Sequence, residues 1–416
     1  MMPKYPSRSS QQHAILFDKC VGAGATAKVW QCRWAGLAVA IKVMDIDEMF
    51  ENESLTEFQT ECDMLQKSQH RNVIFFMQSF VDKLNCKLWL VSELCAGGSV
   101  RDALNHGGPM GEPEIAVVAS DVLAGLAYIH SRRTIHRDIK GANVLVSGDG
   151  VVKLADFGVT DKFSTMTKLQ TLIGTPNWMA PEVVKGEPQS GQADMWSLGI
   201  TILEMADGHP PRVKDSNGNR LPPPTVFMLI VNDPPPTISS FGAANPKTDL
   251  PSMPWSDELH DFASRMLQKE PSQRSDAATC LSHPFLTGGD SSAAMLEIGR
   301  KTLLARCYAA QKDKAKVQNP LRQTAGRAGG GPEPPVIPEG FPLRPASMGA
   351  FGNAAGSASS SLTGSVGGAA LMNAEDDMKQ ALKLSGRLDG GGGMNESLMG
   401  NASAGDSKCC SQCVVQ

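Results

Sequence analysis

Four residues in the middle of the chain have types and spacing that could do chemistry together. "HRDIKGANVL" sets Asp138, Lys140 and Asn143 in one predicted loop, and "ADFG" sets Asp156 just past a predicted strand. Transfer of a phosphoryl group to a hydroxyl needs a carboxylate to orient the hydroxyl and accept its proton, and metal ligands to bridge the phosphates. Asp138 fits the first role; Asn143 and Asp156 fit the second. Mg2+ takes few hard oxygen ligands and keeps several waters, which one amide oxygen and one carboxylate suit. Lys140, two residues beyond the base, can neutralise the transferred phosphate. The bland alternative is a carboxylate-lined turn without a ligand, and the number of matching groups weighs against it.

A second cluster lies upstream. "GAGATAKV", Gly22 to Val29, follows one candidate strand and opens another. Alone, such a glycine-rich turn fits an ordinary hairpin equally well. Thirteen residues on comes "VAIK", ending at Lys42. An inward lysine on a central strand is costly unless an anion meets it. Glu61, on a predicted amphipathic helix, is a suitable partner, and the pair could hold the α/β-phosphates of a nucleotide under the glycine lid. Taken alone, a Lys–Glu pair is more often a surface ion pair.

These groups need elements to hold them. Period-2 patterns predict strands near 15–21, 28–34, 38–44, 73–79 and 87–92, with a helix near 54–68. After "AGGSV" the pattern becomes helical, near 113–132, 192–207, 224–232 and 256–268. A small β-rich lobe followed by a helical one places the site between them. The division is a flexible N-terminus (1–13), an N-lobe (14–95), a C-lobe (96–286), a helix (287–318) and a tail (319–416). In the tail, "GRAGGGPEPP" and "GNAAGSASSSLTGSVGGAA" bury too little to offset ordering of roughly 1–2 kcal/mol per residue. It is expected to be disordered apart from a short helix at 374–388.

Composition narrows the setting. A net charge of −4 gives no basic field for nucleic acid. Ten cysteines show no disulfide framework, and no signal-peptide stretch or apolar run near 18 residues is evident. The expectation is a reducing, cytoplasmic location.

"GTPNWMAPE" completes a set of motifs, and over residues 14–286 the chain resembles a protein kinase. The lysine at Lys140 is the residue that serine/threonine kinases carry there. "TLIGTPNWMAPEV", "ADMWSLGITILEMADGHPP", "FMLIVNDPPPT" and "WSDELHDFASRMLQKEPSQR" look like sterile-20-like kinases of the germinal-centre group, and most like the Hippo-pathway, mammalian sterile-20-like type. "GATA" and "LWLVSELCAGGSV" are also similar to the oxidative-stress-responsive kinases.

The resemblance implies an α+β, bilobal protein-kinase fold and roles for individual positions. Gly22, Gly24 and Val29 cover ATP, with Val21, Ala23, Ala40 and Leu145 completing the nucleotide set. Lys42 and Glu61 form an ion pair. Ser92 is the gatekeeper, and Glu93 to Cys95 form the hinge that meets adenine. Asp138 is the catalytic base, and Asn143 and Asp156 bind Mg2+. Thr175 shapes the substrate side beside Asp138. Glu182 pairs with Arg274, and Asp194 braces the catalytic loop. Thr171 is the implied activating phosphosite, with Arg137 to meet its charge. Implied partners are protein substrates with Ser/Thr acceptors and an upstream kinase or a trans-autophosphorylating dimer. Three departures stand out: Ala27 replaces the lid's third glycine, Arg212 to Pro224 replaces a shorter loop, and neither type's C-terminal module is recognised. A pseudokinase scaffold would lack one of Lys42, Asp138, Asn143 or Asp156, and none is lacking. An adaptor working through its tail remains a rival.

The tail holds two further signals. "EDDMKQALKLS" sets Met378, Ala381 and Ser385 on one helical face behind acidic residues, which resembles a ubiquitin-interacting helix. "CVVQ" is a prenylation signal at Cys413 whose glutamine favours farnesyl. One lipid binds only marginally, and only Lys408 is basic nearby, so Cys409 and Cys410 are the expected palmitoylation sites. The expected location is therefore peripheral, on the cytoplasmic face of a membrane.

Overall fold

The computed structural model describes residues 15–24, 27–45, 69–156, 176–214, 217–239, 254–288, 291–318, 333–338 and 341–342. The first five strands, β1 (Ile15–Ala23), β2 (Ala27–Trp34), β3 (Leu37–Asp45), β4 (Phe76–Asp82) and β5 (Lys87–Glu93), form one antiparallel sheet. Its order is β1-β2-β3-β5-β4. Strand periodicity explains how the sheet serves two purposes. Val39, Ile41 and Val43 of β3 and Trp89 and Val91 of β5 point to one face and join Trp30 and Trp34 in an apolar cluster. The alternate residues Ala40, Lys42, Leu90 and Ser92 point to the other face and line a cleft.

The apolar run "NVIFFM" predicts a strand from residue 73, but β4 begins at Phe76. The three residues before it are spent elsewhere. Val73 bridges Leu154, Ile74 N–H donates to Leu154 O at 2.9 Å, and Phe75 N–H donates to Glu93 Oε1 at 2.7 Å. The run staples the sheet to the second lobe before it pairs with β5.

The helical lobe is built on α2 (Glu112–Ser131) and α4 (Gly191–Asp207). Ser190 caps α4 by accepting from Gln192 N–H, and Gly208 ends it in the left-handed region at φ 78°. Helix α2 is long and apolar enough to cross a membrane by length and composition alone, contrary to the sequence expectation. It is instead a core helix, with Ile115, Val118, Val122, Leu126 and Ile129 buried. Around this pair lie α1 (Val100–Gly107), α3 (Pro181–Lys185), α5 (Pro223–Asn232), α6 (Asp257–Met266), α7 (Ala277–Leu281) and α8 (Pro284–Thr287). A three-stranded sheet of β6 (Gly98–Ser99), β7 (Val144–Val146) and β8 (Val152–Leu154) faces the cleft. The bilobal α+β architecture is the one expected.

Two segments beyond residue 286 pack onto the lobes. Helix α9 (Ser291–Gln318) lies against α1 and α2, with Leu303, Cys307 and Ala310 buried along one stripe. Phe341 sits on the outer sheet face, its ring 5.8, 5.4 and 5.5 Å from those of Trp34, Phe80 and Trp89. The Trp34 indole N–H donates to Pro342 O at 3.0 Å. Gly/Pro-rich composition gave no hint of this seat, because one anchoring aromatic ring needs no periodic pattern.

Candidate active site

The loop carrying Asp138 is held from beneath by buried acids. Asp194, in the first turn of α4, accepts from the backbone N–H groups of His136 and Arg137, each at 2.8 Å, and contacts His130 Nε2 at 2.8 Å. Those bonds hold the backbone at Arg137, whose φ of 71° is uncommon for a non-glycine residue. Glu204, also buried, accepts from Gly141 N–H and the Trp178 indole and pairs with Arg101 at 3.1 Å. Burial pushes its carboxyl up, and Arg101 only partly offsets that.

His136 is fully buried. Its Nε2 lies 3.0 Å from Ala155 O, and its Nδ1 lies 3.4 Å from the backbone nitrogen of Asp138. A neutral ring with the proton on Nε2 satisfies both contacts. Burial lowers its pKa, despite the opposing carboxylates of Asp194 and Asp138.

On this base the candidate catalytic groups interlock. Lys140 Nζ lies 2.9 and 2.8 Å from the two Asp138 carboxylate oxygens. Asn143 Nδ2 donates to Asp138 Oδ2 at 2.7 Å and to Asp138 O at 2.8 Å. Asn143 immediately precedes β7, and Asp156 follows β8 by two residues, so one small sheet fixes both. Asp156 has φ 57° and accepts from Lys42 Nζ at 2.8 Å. Desolvation by the surrounding cleft pushes the Asp156 carboxyl up, but Lys42 outweighs it, helped by His136 and Lys140, and the net shift is downward. Asp156 is thus an anion at neutral pH.

The donor set fits a hard cation. The two Asn143 amide donor contacts fix its orientation and leave Oδ1 as an acceptor. Asp156 offers a carboxylate already ionised. Oxygens of this kind are what Mg2+ selects.

The cleft has a volume of about 490 Å³, within the usual size of a small-molecule pocket, roughly 300–1,000 Å³. Val21, Gly22, Val29, Ala40 and Lys42 line its roof; Ser92, Glu93 and Cys95 line its back, with Leu145 and Asp156 on the floor. Ala23 and Gly24 do not line it; they lead into the β1–β2 turn, where Gly24 N–H donates to Ala27 O at 2.8 Å. Glu93 turns its carboxylate onto Phe75 N–H and Lys153, and so supports the connection between the lobes. Burial, then the Glu93 charge, pushes the Cys95 thiol up to about 12, so it is an apolar wall group.

Among the described residues Lys42 pairs with Asp156, and the Glu61 partner that the resemblance implied lies outside them. Thr171, Thr175, Cys409, Cys410, Cys413 and the 374–388 segment also lie outside the described residues. Sequence reasoning missed the cleft residues Asp102, Gln311 and Lys314. Asp102 had a local signal, since "SVRD" is a capping box with Ser99. Gln311 and Lys314 had none, because they come from α9.

Away from the cleft, Arg274 and Glu182 form a buried, two-pronged ion pair at 2.6 and 2.7 Å. It ties α3 to the turn before α7.

Comparison with known proteins agrees with this geometry. The family model described as "Protein kinase domain" matches residues 16–286. Serine/threonine-protein kinase dst1 of Dictyostelium discoideum is 38% identical over 256 residues, covering 60% of this chain and 31% of that protein. Serine/threonine-protein kinase 4 homolog A of the same organism is 38% identical over 296 residues, covering 70% of this chain and 59% of that protein. Serine/threonine-protein kinase 10-A of Xenopus laevis is 39% identical over 278 residues, covering 64% of this chain and 27% of that protein. The chain thus spans from about a quarter to three fifths of the length of these relatives. The chain belongs to the protein kinase family, and its relatives are consistent with a place in the sterile-20-like, germinal-centre branch.

Proposed function

We propose that the protein transfers the γ-phosphate of ATP to serine or threonine hydroxyls of protein substrates. The observation that carries this reading is the Asp138–Lys140–Asn143 cluster set beside the Lys42–Asp156 pair in one nucleotide-sized cleft. Asp138 orients the acceptor hydroxyl and takes its proton, and Lys140 offsets charge on the group being transferred. Lys42 holds phosphate oxygens. Asn143 and Asp156 would hold Mg2+, which would supply charge neutralisation for the phosphates.

The test uses purified full-length protein, Mg-ATP and a mixture of serine- and threonine-containing proteins. The wild type should incorporate phosphate into Ser and Thr. Asp138→Asn should lower kcat by about 10²–10⁴-fold, the range for loss of a positioned base. Equal incorporation by wild type and Asp138→Asn would overturn the assignment.

Control and location belong to the same reading. Phosphorylation of Thr171, by an upstream kinase or a second copy of the chain, adds charge that Arg137 can meet by charge-assisted hydrogen bonds; Thr175 shapes the acceptor side. Farnesyl at Cys413 is the first anchoring signal, and palmitoyl at Cys409 and Cys410 supplies the second that stable anchoring takes. A ubiquitin contact through Met378, Ala381 and Ser385 is the remaining tail function. Support for these rests on sequence motifs and on the family of the domain.

A further inference from the structure

We infer that α9, which lies beyond the matched kinase domain, forms one wall of the nucleotide site, and that Gln311 and Lys314 set nucleotide affinity. The inference rests on the reading of the cleft as a nucleotide site and adds a component from outside the domain.

The helix is seated in a fixed register. Arg306 grips Glu114 with two contacts of 2.9 Å, and Arg300 grips Asp121 at 2.8 and 3.1 Å. The Arg306–Glu114 side chains are only 12% and 8% exposed, and bidentate guanidinium–carboxylate pairs impose geometry as well as attraction. Gly299 lies so close to the Pro113 carbonyl that a side chain there would collide. Leu303, Cys307 and Ala310 bury an apolar stripe that starts between these anchors and runs on past Arg306. Rotation or sliding of α9 would break all of them together.

The next residue along the helix reaches the cleft. Gln311 lies against Gly98, where a Cβ would strike its amide, and donates to Gly97 O at 3.4 Å. One turn on, Lys314 Nζ lies 2.6 Å from Asp102 Oδ1. Asp102 Oδ2 accepts from Ser99 N–H at 3.2 Å, which fixes the carboxylate at the start of α1. An amide, an ammonium and a carboxylate therefore stand on one rim of a cleft whose far end holds Lys42 and Asp156. A ligand with hydroxyls and an anionic tail matches that set: acceptors meet Gln311 and Lys314, and a hydroxyl meets Asp102. A nucleoside di- or triphosphate has both features.

The test measures MgADP binding to the full-length protein by calorimetry, and KM and kcat for ATP in parallel. Lys314→Glu sets a second carboxylate beside Asp102 and the anionic ligand. It should weaken MgADP binding and raise the ATP KM by about three- to tenfold, as for a partly exposed charge pair, with kcat within about twofold. Gln311→Ala should give a smaller shift in the same direction. Lys312→Glu, an equal charge change at an exposed position on the same turn, should leave both constants unchanged. Melting temperatures of the variants identify any loss through unfolding, and Gln311→Ala keeps the test decisive if Lys314→Glu unfolds. If wild type binds MgADP and the Lys314 and Gln311 variants bind equally well, the inference falls and the kinase reading stands. An equal shift in Lys312→Glu would also overturn it. If wild type binds no MgADP, both readings fall.

Discussion

The two sides of the cleft are held differently. Beneath, the catalytic loop rests on the buried groups Asp194, Glu204 and His136, each tied to backbone. Above, Lys42 reaches down to Asp156 through one ion pair whose carboxylate side chain is 47% exposed. Buried groups tied to backbone are expensive to disturb; an exposed pair is cheap to break and remake. The lower side thus stores its geometry in the fold, while the upper side can exchange partners as ligands come and go.

Replacing Asp194 attacks the stored side. Asp194→Ala leaves the buried N–H of His136 and the part-buried N–H of Arg137 without their acceptor, and a buried group left unsatisfied costs about 1–3 kcal/mol. The expected outcome is a fall in melting temperature of several degrees with activity lost alongside. Unchanged melting would show that the loop is braced otherwise.

Lys42→Met probes the exchangeable side. Melting should move little, because Asp156 keeps access to water. Activity should fall by about 10²–10³-fold, as when one charge-stabilising donor is removed. Steady-state kinetics beside a melting curve separates the two sides: stability responds below, turnover above.

The smallest effect is with pH. His136 has a folded pKa lowered from 6.5, so the unfolded chain binds the extra proton first as pH falls. The stability from keeping this ring neutral is therefore complete above about 6.5 and declines as pH drops towards the folded value. Denaturant midpoints between pH 7.5 and 5.5 should fall in wild type and fall less in His136→Gln. An identical slope in both would remove His136 from the account.

The parts legible in the sequence were those with short-range grammar. Alternation placed β2, β3 and β5 within a residue or two, and it put Lys42 on the face opposite Ile41. Motif spacing brought out Lys42, Asp138, Asn143 and Asp156 because each sits within a strand, beside one, or in one tight loop. What escaped depends on distant packing. The run at 73–75 looks like more strand, yet it is diverted to Leu154 and Glu93. The stripe of Leu303 and Cys307 announces a helix, but nothing local says that Gln311 and Lys314 will meet Gly97 and Asp102 some 200 residues earlier.

Phe341 bears on how the protein behaves in solution. Its ring covers Trp34, Phe80 and Trp89 on the outer sheet face, while α9 covers the apolar flank of the other lobe. A chain shortened to residue 286, where the family match ends, would uncover both areas at once. Contiguous apolar patches of that kind drive self-association. Colloidal stability of the catalytic unit is thus a property of residues outside it, and chains ending at 286 and at 342 should differ first in solubility.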